Sequence, residues 1–316
     1  MRTGGAVAFA SMLLLTESVI AQQITAVVSA GDFKAGIAPL GIASAFGSLL
    51  STVTAPATKL PLPSEISGNG LAWCDVTSDP GMTDCLAAHL FFVSPGQVNF
   101  LIPPVASASV SHQFAVMPIL NGARIGPVFL VTIQSFAPRV FWVGYDCLTD
   151  TRFLHANVNC GLTTIKTDEA FQSTRGAVTD QNGMVLSSAH RAKLGEPYTI
   201  WMTGLGQAQN GALVYPPGLT ISNVPVYGYS GDTYIYTPLL YAGQSPQYEG
   251  LYQLNFILPI SIAGSSDPQR YPLFPCGNYD WEVSLDITQG TGFSQAHANL
   301  IQIPIHVTKG DVPCAQ

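Results

Sequence analysis

The sequence is poor in charge. Charged residues make up 10% of the chain, and the formal net charge is -7, whereas about 25% of an ordinary soluble domain is charged. Nucleic acids and anionic lipid surfaces both attract basic proteins, so we expect neither as a partner. Hydrophobic residues reach 47%, with 30 glycines and 23 prolines. Few charges beside many turn-forming residues predict short strands and tight turns rather than helices or disorder.

Motifs for catalysis and cofactor binding are missing as well. The sequence contains neither HExxH nor GxGxxG, and Gly228-Tyr229-Ser230-Gly231 lacks the spacing of a nucleophile elbow. Its cysteines do not follow the CxxC spacing of zinc sites. Six histidines are scattered along the chain and predict isolated side chains: His89, His112, His155, His190, His297 and His306. We therefore predict a non-enzyme without catalytic residues, cofactor or metal.

A second long apolar run is absent, and the only one lies at the N-terminus. Arg2 precedes apolar residues from Ala6 to Leu15, and Val19-Ile20-Ala21 offers small residues for cleavage. This pattern predicts a signal peptide over residues 1–21, because a membrane span needs about 20 apolar residues. We expect a secreted protein (extracellular, cell-surface or periplasmic) without a membrane span in the mature chain.

The cysteines fit that export route. They are even in number, which in an exported chain predicts disulfides. Pairing by proximity gives three bonds, although other connectivities stay open: Cys74 with Cys85, Cys147 with Cys160, and Cys276 with Cys314.

An internal repeat is the most informative pattern. Residues 90–104 and 239–259 share a strand, a turn and the motif Gln-x-Asn-Phe-x-[Ile/Leu]-Pro. The matching residues are Gln97, Asn99, Phe100, Ile102 and Pro103 in the first copy, and Gln253, Asn255, Phe256, Leu258 and Pro259 in the second. Upstream, Leu40-Gly41 parallels Leu194-Gly195, each before an apolar strand.

The repeat predicts two copies of one fold. We expect an all-β protein of two tandem immunoglobulin-like β-sandwich domains, residues 22–135 and 136–316. Residues 144–174 lack a counterpart in the first copy. Because a loop that long needs a staple, they predict an insertion closed by its own disulfide.

Strand alternation adds local predictions. Apolar residues fall on one face of Trp281–Ile287, which leaves Asp280, Glu282 and Asp286 on a solvated face. A glycosidase carboxylate pair and a calcium site are the alternatives for these acids. Pro304 predicts an edge strand, because proline cannot donate to a strand ladder.

Three short motifs receive structural interpretations. Gln97 and Asn99 share a strand face, and we expect their amides to tie down loops by bonding backbone groups. The Thr203-Gly204-Leu205-Gly206 segment is predicted to end a strand at a sharp turn. Asp180-Gln181-Asn182-Gly183 resembles part of a calcium loop, yet Asn-Gly explains it as a hairpin turn.

A tyrosine-rich segment is the candidate ligand or partner face. Four tyrosines flank the Ser230-Gly231-Asp232 turn signal: Tyr227, Tyr229, Tyr234 and Tyr236. In a hairpin turning there, these rings either pack across the strands or form a platform for sugar rings or a protein partner.

Several of these segments together resemble a bacterial family, the uncharacterised Solibacter-type C-terminal domain of exported acidobacterial proteins. The matching segments follow the family's order over most of residues 27–260: Val27–Ala30 with Phe33, Pro39–Gly41, Phe46-Gly47, Phe92–Phe100, Ala137-Pro138 with Phe141, Asp180 with Asn182-Gly183, Thr203–Gly206, Tyr241–Gly243 and Gly250–Asn255. The resemblance implies tandem immunoglobulin-like sandwiches in an exported protein, and it brings no activity and no catalytic residues.

The leading functional hypothesis is a non-enzymatic secreted binding or scaffold protein of the cell surface or extracellular matrix, with a protein or glycan partner. One alternative is a self-assembling subunit of an extracellular fibre or surface layer, joined through edge strands. The other is a hydrolase with an unrecognised site.

Overall fold

The chain is an all-β protein. The computed structural model describes residues 22–105, 112–145, 174–209, 212–222, 224, 235–260, 274, 276–291, 295–298 and 300–311. Regular structure in these ranges consists of strands, as the alternating pattern predicts. The predicted signal peptide lies outside the described residues. Within the described ranges, no helix is long and apolar enough to cross a bilayer.

In the described part of residues 22–133, eleven strands form two sheets that we call the first module. They are β1 (Gln23–Ser29), β2 (Ile42–Ser48), β3 (Ala55–Pro56), β4 (Glu65–Ile66), β5 (Asn69–Asp75), β6 (Cys85–Ala87), β7 (His89–Val93), β8 (Gln97–Leu101), β9 (His112–Leu120), β10 (Ala123–Arg124) and β11 (Phe129–Ile133). One sheet has the order β1-β2-β8-β7-β3, and the other has the order β10-β9-β5-β4 with β11 on β9 and β6 on β5.

The main apolar core of the first module lies between its two sheets, and a smaller buried cluster contains Ala72, Cys74, Ala115 and Met117. Trp73 of β5, Phe100 of β8 and Phe114 of β9 are buried at the centre of the main core, with ring centroids 5.3–5.5 Å from Trp73. These residues come from both sheets, so the core is the layer between them.

From Arg139 onward, the described residues contain fifteen further strands, which we call the second module. They are β12 (Arg139–Val140), β13 (Trp142–Tyr145), β14 (Thr174–Gly176), β15 (Val178–Thr179), β16 (Ala192–Lys193), β17 (Pro197–Thr203), β18 (Ala208–Gln209), β19 (Ala212–Leu213), β20 (Pro217–Ser222), β21 (Ile235–Thr237), β22 (Leu239–Gln244), β23 (Tyr252–Ile257), β24 (Tyr279–Gln289), β25 (Ala296–His297) and β26 (Ile301–Val307).

Two main sheets enclose the core of the second module. One has the order β12-β17-β23-β22, and the other has the order β13-β14-β26-β24-β20-β21. Ile200 and Phe256 from the former pack in the same buried cluster as Leu285 and Ile303 from the latter. The switch between the two pairs of sheets falls between Ile133 and Arg139. The duplicated immunoglobulin-like interpretation and the domain limits at 135 and 136 stay predictions.

The predicted insertion begins and ends on paired strands. Tyr145 of β13 lies opposite Thr174 of β14, and Trp142 lies opposite Gly176. The segment 146–173 between them, with Cys147, His155 and Cys160, lies outside the described residues.

The repeated motif forms the same three strands in both modules. The order β2-β8-β7 in the first module matches β17-β23-β22 in the second. β7 and β22 each contain a register shift at the same place, between Leu90 and Phe92 and between Leu239 and Tyr241. A β-bulge is a specific local feature of a strand. Because both strands contain one at the same place, the similarity between the two segments extends to local backbone geometry.

The upstream match is displaced by one residue from its predicted alignment. The Leu40 N–H donates to the Ile102 carbonyl at 3.0 Å, and the Gly195 N–H donates to the Leu258 carbonyl at 2.7 Å. Leu40 therefore corresponds to Gly195, whereas the sequence alignment matches it with Leu194. Both residues have positive φ, 57° and 80°, so the backbone conformation is kept although the residue type differs.

The prediction of an edge strand at Pro304 is wrong. β26 lies inside its sheet, between β24 on one side and the short strands β14 and β16 on the other. β14 meets β26 at Gln302, whereas β16 begins at Ile305. Pro304 sits in the gap between these two partners, where no ladder hydrogen bond is required of it.

The two modules are joined by close backbone packing around Thr203-Gly204-Leu205-Gly206. Thr203 Oγ1 accepts a 2.7 Å hydrogen bond from the Ile42 N–H and donates to the Gly250 carbonyl at 3.0 Å. A Cβ atom on Gly204 would collide with the carbonyl oxygen of Ala137. The segment does end β17 at a sharp turn, as predicted, and glycine is needed there because the linker backbone lies against it.

Arg139 adds a polar contact across the same junction. Its Nη2 donates to the Ala35 carbonyl at 2.9 Å, and its Nε lies 3.5 Å from Asp32 Oδ2. Several segments that carry the family resemblance meet at this junction: Leu40-Gly41, Ala137-Pro138, Thr203–Gly206 and Gly250.

Candidate functional site

Tyr236 is the member of the predicted tyrosine face that the structure describes. It lies on β21 opposite Thr220 of β20, and its side chain is 65% exposed. A Cβ atom on Gly218 would lie 3.6 Å from the Tyr236 ring and 3.3 Å from Thr288 Oγ1. The ring is thus supported by bare backbone at Gly218, and it remains open to solvent.

The ladder between β20 and β21 sets Leu219 opposite Thr237 and Ile221 opposite Ile235, on either side of the pair formed by Thr220 and Tyr236. The other three tyrosines, Tyr227, Tyr229 and Tyr234, lie outside the described residues, as does the predicted turn at Ser230-Gly231-Asp232.

A carboxylate and an imidazole stand on the same surface as Tyr236. Asp286 of β24 lies opposite Thr220 on the side away from Tyr236. His297 Nδ1 lies 3.2 Å from Asp286 Oδ1, and the His297 side chain is largely exposed. A row across four strands therefore presents an aromatic ring, a hydroxyl, a carboxylate and an imidazole. We call Tyr236, Thr220, Asp286, His297 and Thr288 the tyrosine surface.

This combination suits a sugar or another flat polar ligand. An aromatic ring offers a large apolar plane at low entropic cost, while carboxylate, hydroxyl and imidazole groups exchange hydrogen bonds with ligand hydroxyls. Most ligand pockets are concave. This surface is a sheet face, so it suits a long polymer better than an enclosed small molecule.

The acids of β24 do not form a bare acidic patch. Asp280 Oδ1 lies 2.7 Å from His306 Nδ1, and Asp280 Oδ2 lies 3.5 Å from Arg191 Nε. Asp286 lies six positions further along the same strand, which is about 20 Å away at about 3.3 Å per residue. Glycosidase carboxylates lie about 5–10 Å apart, so Asp280 and Asp286 do not make such a pair.

The histidines are not isolated, contrary to the prediction. Each one in the described ranges faces a carboxylate, with nitrogen–oxygen distances from 2.7 to 3.8 Å: His89 with Glu249, His112 with Asp75, His190 with Asp180, His297 with Asp286, and His306 with Asp280. Asp280 and His306 are directly opposite in the ladder between β24 and β26, a pairing that alternation within either strand does not reveal. The other contacts depend on how strands and turns pack, which the spacing of the histidines does not indicate.

Asp180 stabilises a turn rather than a metal ion. Its Oδ1 accepts 2.9 Å hydrogen bonds from the backbone N–H groups of Asn182 and Met184, and Gly183 takes a positive φ of 77°. The hydrogen bond from the Met184 N–H, aided by Asn182 and His190, outweighs partial burial and lowers the pKa of this carboxyl. Within the described ranges, no group of three or more histidine, cysteine or acidic side chains could hold a metal ion.

The predicted bond between Cys74 and Cys85 is present. These cysteines are directly opposite on β5 and β6, with Cα atoms 4.3 Å apart, and Arg124 Nη1 lies 3.1 Å from Cys85 Sγ. Cys276 is also disulfide-bonded, while Cys314 lies outside the described residues. Such bonds persist in oxidising compartments, so they favour an oxidising compartment for this chain.

Asp79 organises the loop that this disulfide closes. Its carboxylate accepts hydrogen bonds from the backbone N–H groups of Gly81, Thr83 and Asp84 at 2.6–3.2 Å. These bonds lower the pKa of Asp79, and the bond from the Asp84 N–H contributes most to that shift. The loop is thus held by both a covalent bond and a carboxylate cap.

The motif amides bond to side chains rather than to loop backbone. Asn99 Oδ1 accepts hydrogen bonds from Ser44 Oγ at 2.9 Å and from Gln97 Nε2 at 2.7 Å. In the second module, Asn255 Oδ1 accepts one from Thr199 Oγ1 at 3.1 Å. The prediction of a structural role fits these contacts, but the predicted backbone partners are wrong.

The residue that ties a loop to the sheet is Asn69, which the sequence reading did not single out. Its side chain is fully buried. Nδ2 donates to the Ser67 carbonyl at 2.9 Å, and Oδ1 accepts from the Thr52 N–H at 3.1 Å. An asparagine before a glycine is typical of a turn, so the sequence gives no signal that Asn69 is buried and bonds to a loop.

An open cleft of about 430 Å³ lies between the modules. It is lined by Leu60 of the first module and by residues 244–249 of the second. Glu249 faces His89 at 3.8 Å beside it. The lining brings together one acid and no nucleophile with an adjacent base, so it does not match a hydrolytic site.

Comparison with known proteins identifies no family for this chain. No family model and no curated protein matches the sequence. Among solved structures, the C-terminal domain of the Streptococcus agalactiae antigen I/II polypeptide BspA matches at 10% identity and a TM-score of 0.20, covering 86% of this chain and 95% of that one. The C-terminal domain of the Streptococcus pyogenes antigen I/II-family protein AspA matches at 10% identity and a TM-score of 0.19, covering 84% and 91%. TM-scores of this size do not establish a shared fold, so the described geometry is the basis for function, and the resemblance to the Solibacter-type family stays a prediction.

Proposed function

We propose that this protein is a secreted, non-enzymatic binding protein that holds a glycan on the tyrosine surface. The observation that carries the proposal is the Tyr236 ring, which is supported by Gly218 and still 65% exposed. An aromatic ring of this size gains favourable apolar burial when a ligand covers it, and Tyr236 has polar groups on the neighbouring strands.

The groups beside the ring support a glycan as that ligand. The Asp286 carboxylate, the His297 imidazole and the Thr288 hydroxyl stand on neighbouring strands. Sugar rings present an apolar face for stacking and hydroxyls at their edges, so one aromatic ring with flanking acceptors and donors satisfies both requirements. The extracytoplasmic location, which the disulfides support, is where such polymers occur.

A glycan array followed by calorimetry on the best ligand tests the proposal. The Tyr236→Ala variant should bind about tenfold more weakly or worse, since central aromatic contacts carry a large share of binding energy. Tyr248→Ala is the matched control, because Tyr248 is 57% exposed on a turn outside the tyrosine surface and its loss should leave affinity unchanged.

Two results would contradict the proposal. One is that the array reveals no ligand, and the other is that Tyr236→Ala and Asp286→Asn both bind as tightly as the wild type. If the ligand is a protein and Tyr236→Ala weakens its binding, the tyrosine surface is the binding site but its ligand is not a glycan.

A further inference from the structure

The strand β22 forms an edge that its counterpart in the first module does not expose. Among the described residues, β22 ends its sheet, with β23 as its neighbour. The corresponding strand β7 is covered by β3: Ala55 lies opposite Val93 and Pro56 opposite Phe92. The two copies thus carry the same strand, paired on both sides in one module and on one side in the other.

The bulge in β22 does not prevent such pairing. In the first module, the bulged residue Phe91 accepts a 2.8 Å hydrogen bond from the Ala57 N–H, beyond the edge of β7. Leu240 occupies the same bulge position in β22. Its carbonyl, and the backbone groups of Ala242 two residues on, therefore point away from β23.

The side chains of β22 are more exposed than their counterparts in β7, as expected for a strand without a covering neighbour. Phe91 and Phe92 are half-buried under β3, whereas Leu240 is 62% exposed and Tyr241 is exposed as well. The Tyr241 hydroxyl donates to the Gln244 carbonyl at 2.9 Å, which holds the ring along the strand. Edge strands are usually protected by charged residues or proline, and residues 239–244 contain neither.

We propose that β22 pairs antiparallel with β22 of a second copy, which makes a twofold dimer with one continuous sheet. The strand suits itself as a partner, because outward-facing Leu240 and Ala242 lie symmetrically about Tyr241. A twofold axis at Tyr241 places Leu240 of each copy opposite Ala242 of the other. Although the protein carries a net charge of -7, β22 carries none, so two copies can meet there without opposing charges.

Sedimentation of the exported, disulfide-bonded protein over a range of concentrations tests the dimer. Wild type should show a concentration-dependent dimer. Ala242→Pro removes an outward N–H that β23 does not use, and the dimer should weaken about tenfold or more. Leu240→Lys should also abolish it, whereas Leu130→Lys should not, because Leu130 is 53% exposed on β11 of the other module. Circular dichroism of each variant confirms folding.

Cross-linking tests the register independently. Tyr241→Cys places two thiols at directly opposed, non-hydrogen-bonded positions, where Cα atoms lie about 4.5 Å apart and a disulfide can form. Mild oxidation should give a covalent dimer with Tyr241→Cys and none with Leu130→Cys. A wild type that stays monomeric at the highest soluble concentration overturns the proposal, because β22 would then serve another partner. A dimer that survives both Ala242→Pro and Leu240→Lys also overturns it.

Discussion

The two modules share a three-strand unit and differ in what surrounds it. In both, a hydroxyl on the first strand donates to an asparagine on the second, Ser44 to Asn99 and Thr199 to Asn255, and the third strand carries the same bulge. The difference lies at the edge, where β3 covers the outer side of β7, while in the described ranges β22 has no strand on the side away from β23. Contacts within the unit are therefore alike in the two modules, and contacts at its edge differ, because an edge can be covered by different segments without altering the core.

The junction between the modules gives the largest expected effect. Gly204 and Gly195 both have φ of 80°, yet a Cβ atom meets the Ala137 backbone at Gly204 and only Ile260 Cδ1, at 3.9 Å, at Gly195. Gly204→Ala should lower the free energy of unfolding by about 3 kcal/mol or more. Gly195→Ala should cost about 1 kcal/mol, the ordinary cost of a left-handed residue.

Urea denaturation of the two alanine variants separates backbone strain from packing at the junction. Gly195→Leu is a further control, because the first module has Leu40 at the corresponding position with φ of 57°. Equal losses for Gly204→Ala and Gly195→Ala would mean that the linker does not press on Gly204.

The asparagine pair gives a smaller effect. Asn99 accepts two side-chain hydrogen bonds, one from the fully buried Ser44, whereas Asn255 accepts one from half-buried Thr199. Asn99→Ala should cost about 2 kcal/mol, because it leaves a buried hydroxyl unpaired, and Asn255→Ala about 1 kcal/mol.

A double-mutant cycle with Ser44→Ala measures the bond directly. Removing both partners should recover part of the loss caused by Asn99→Ala alone, since the unpaired hydroxyl disappears with it. Additive losses in that cycle would assign the stability of Asn99 to packing instead.

Much of the fold was predictable because local sequence patterns determine it. Alternation marks the faces of β24, and the Gln-x-Asn-Phe motif marks β8 and β23 as equivalent strands. Strand order is a different matter, since Pro304 is tolerated inside a sheet only because β14 and β16 leave a gap beside it. Neighbouring residues do not encode such a gap, so the same proline pattern describes an edge and an interior strand equally well.

The candidate site was predictable only in part, for a related reason. A cluster of tyrosines indicated the segment, and Tyr236 is exposed. Its true neighbours, Gly218, Thr220 and Asp286, come from two other strands. The histidine–carboxylate contacts likewise depend on how the strands and turns pack, so histidine motifs in the sequence do not reveal them.

The loops anchored by Asp79 and Asp180 give the smallest effect, and they extend the comparison to acid stability. In each module a carboxylate accepts hydrogen bonds from the backbone of its own loop, which lowers its pKa in the folded state. A lowered folded pKa stabilises the protein at pH values above the unfolded pKa of about 3.9, and this stabilisation is lost as the pH falls through the folded value.

The stability difference between wild type and Asp180→Asn should therefore be largest near neutral pH and shrink below about pH 4. Asp79→Asn should behave in the same way, as thermal melts from pH 7 to pH 3 can measure. A difference that stays constant across that range, in either loop, would mean that the hydrogen bonds there do not depend on the charge of the carboxylate.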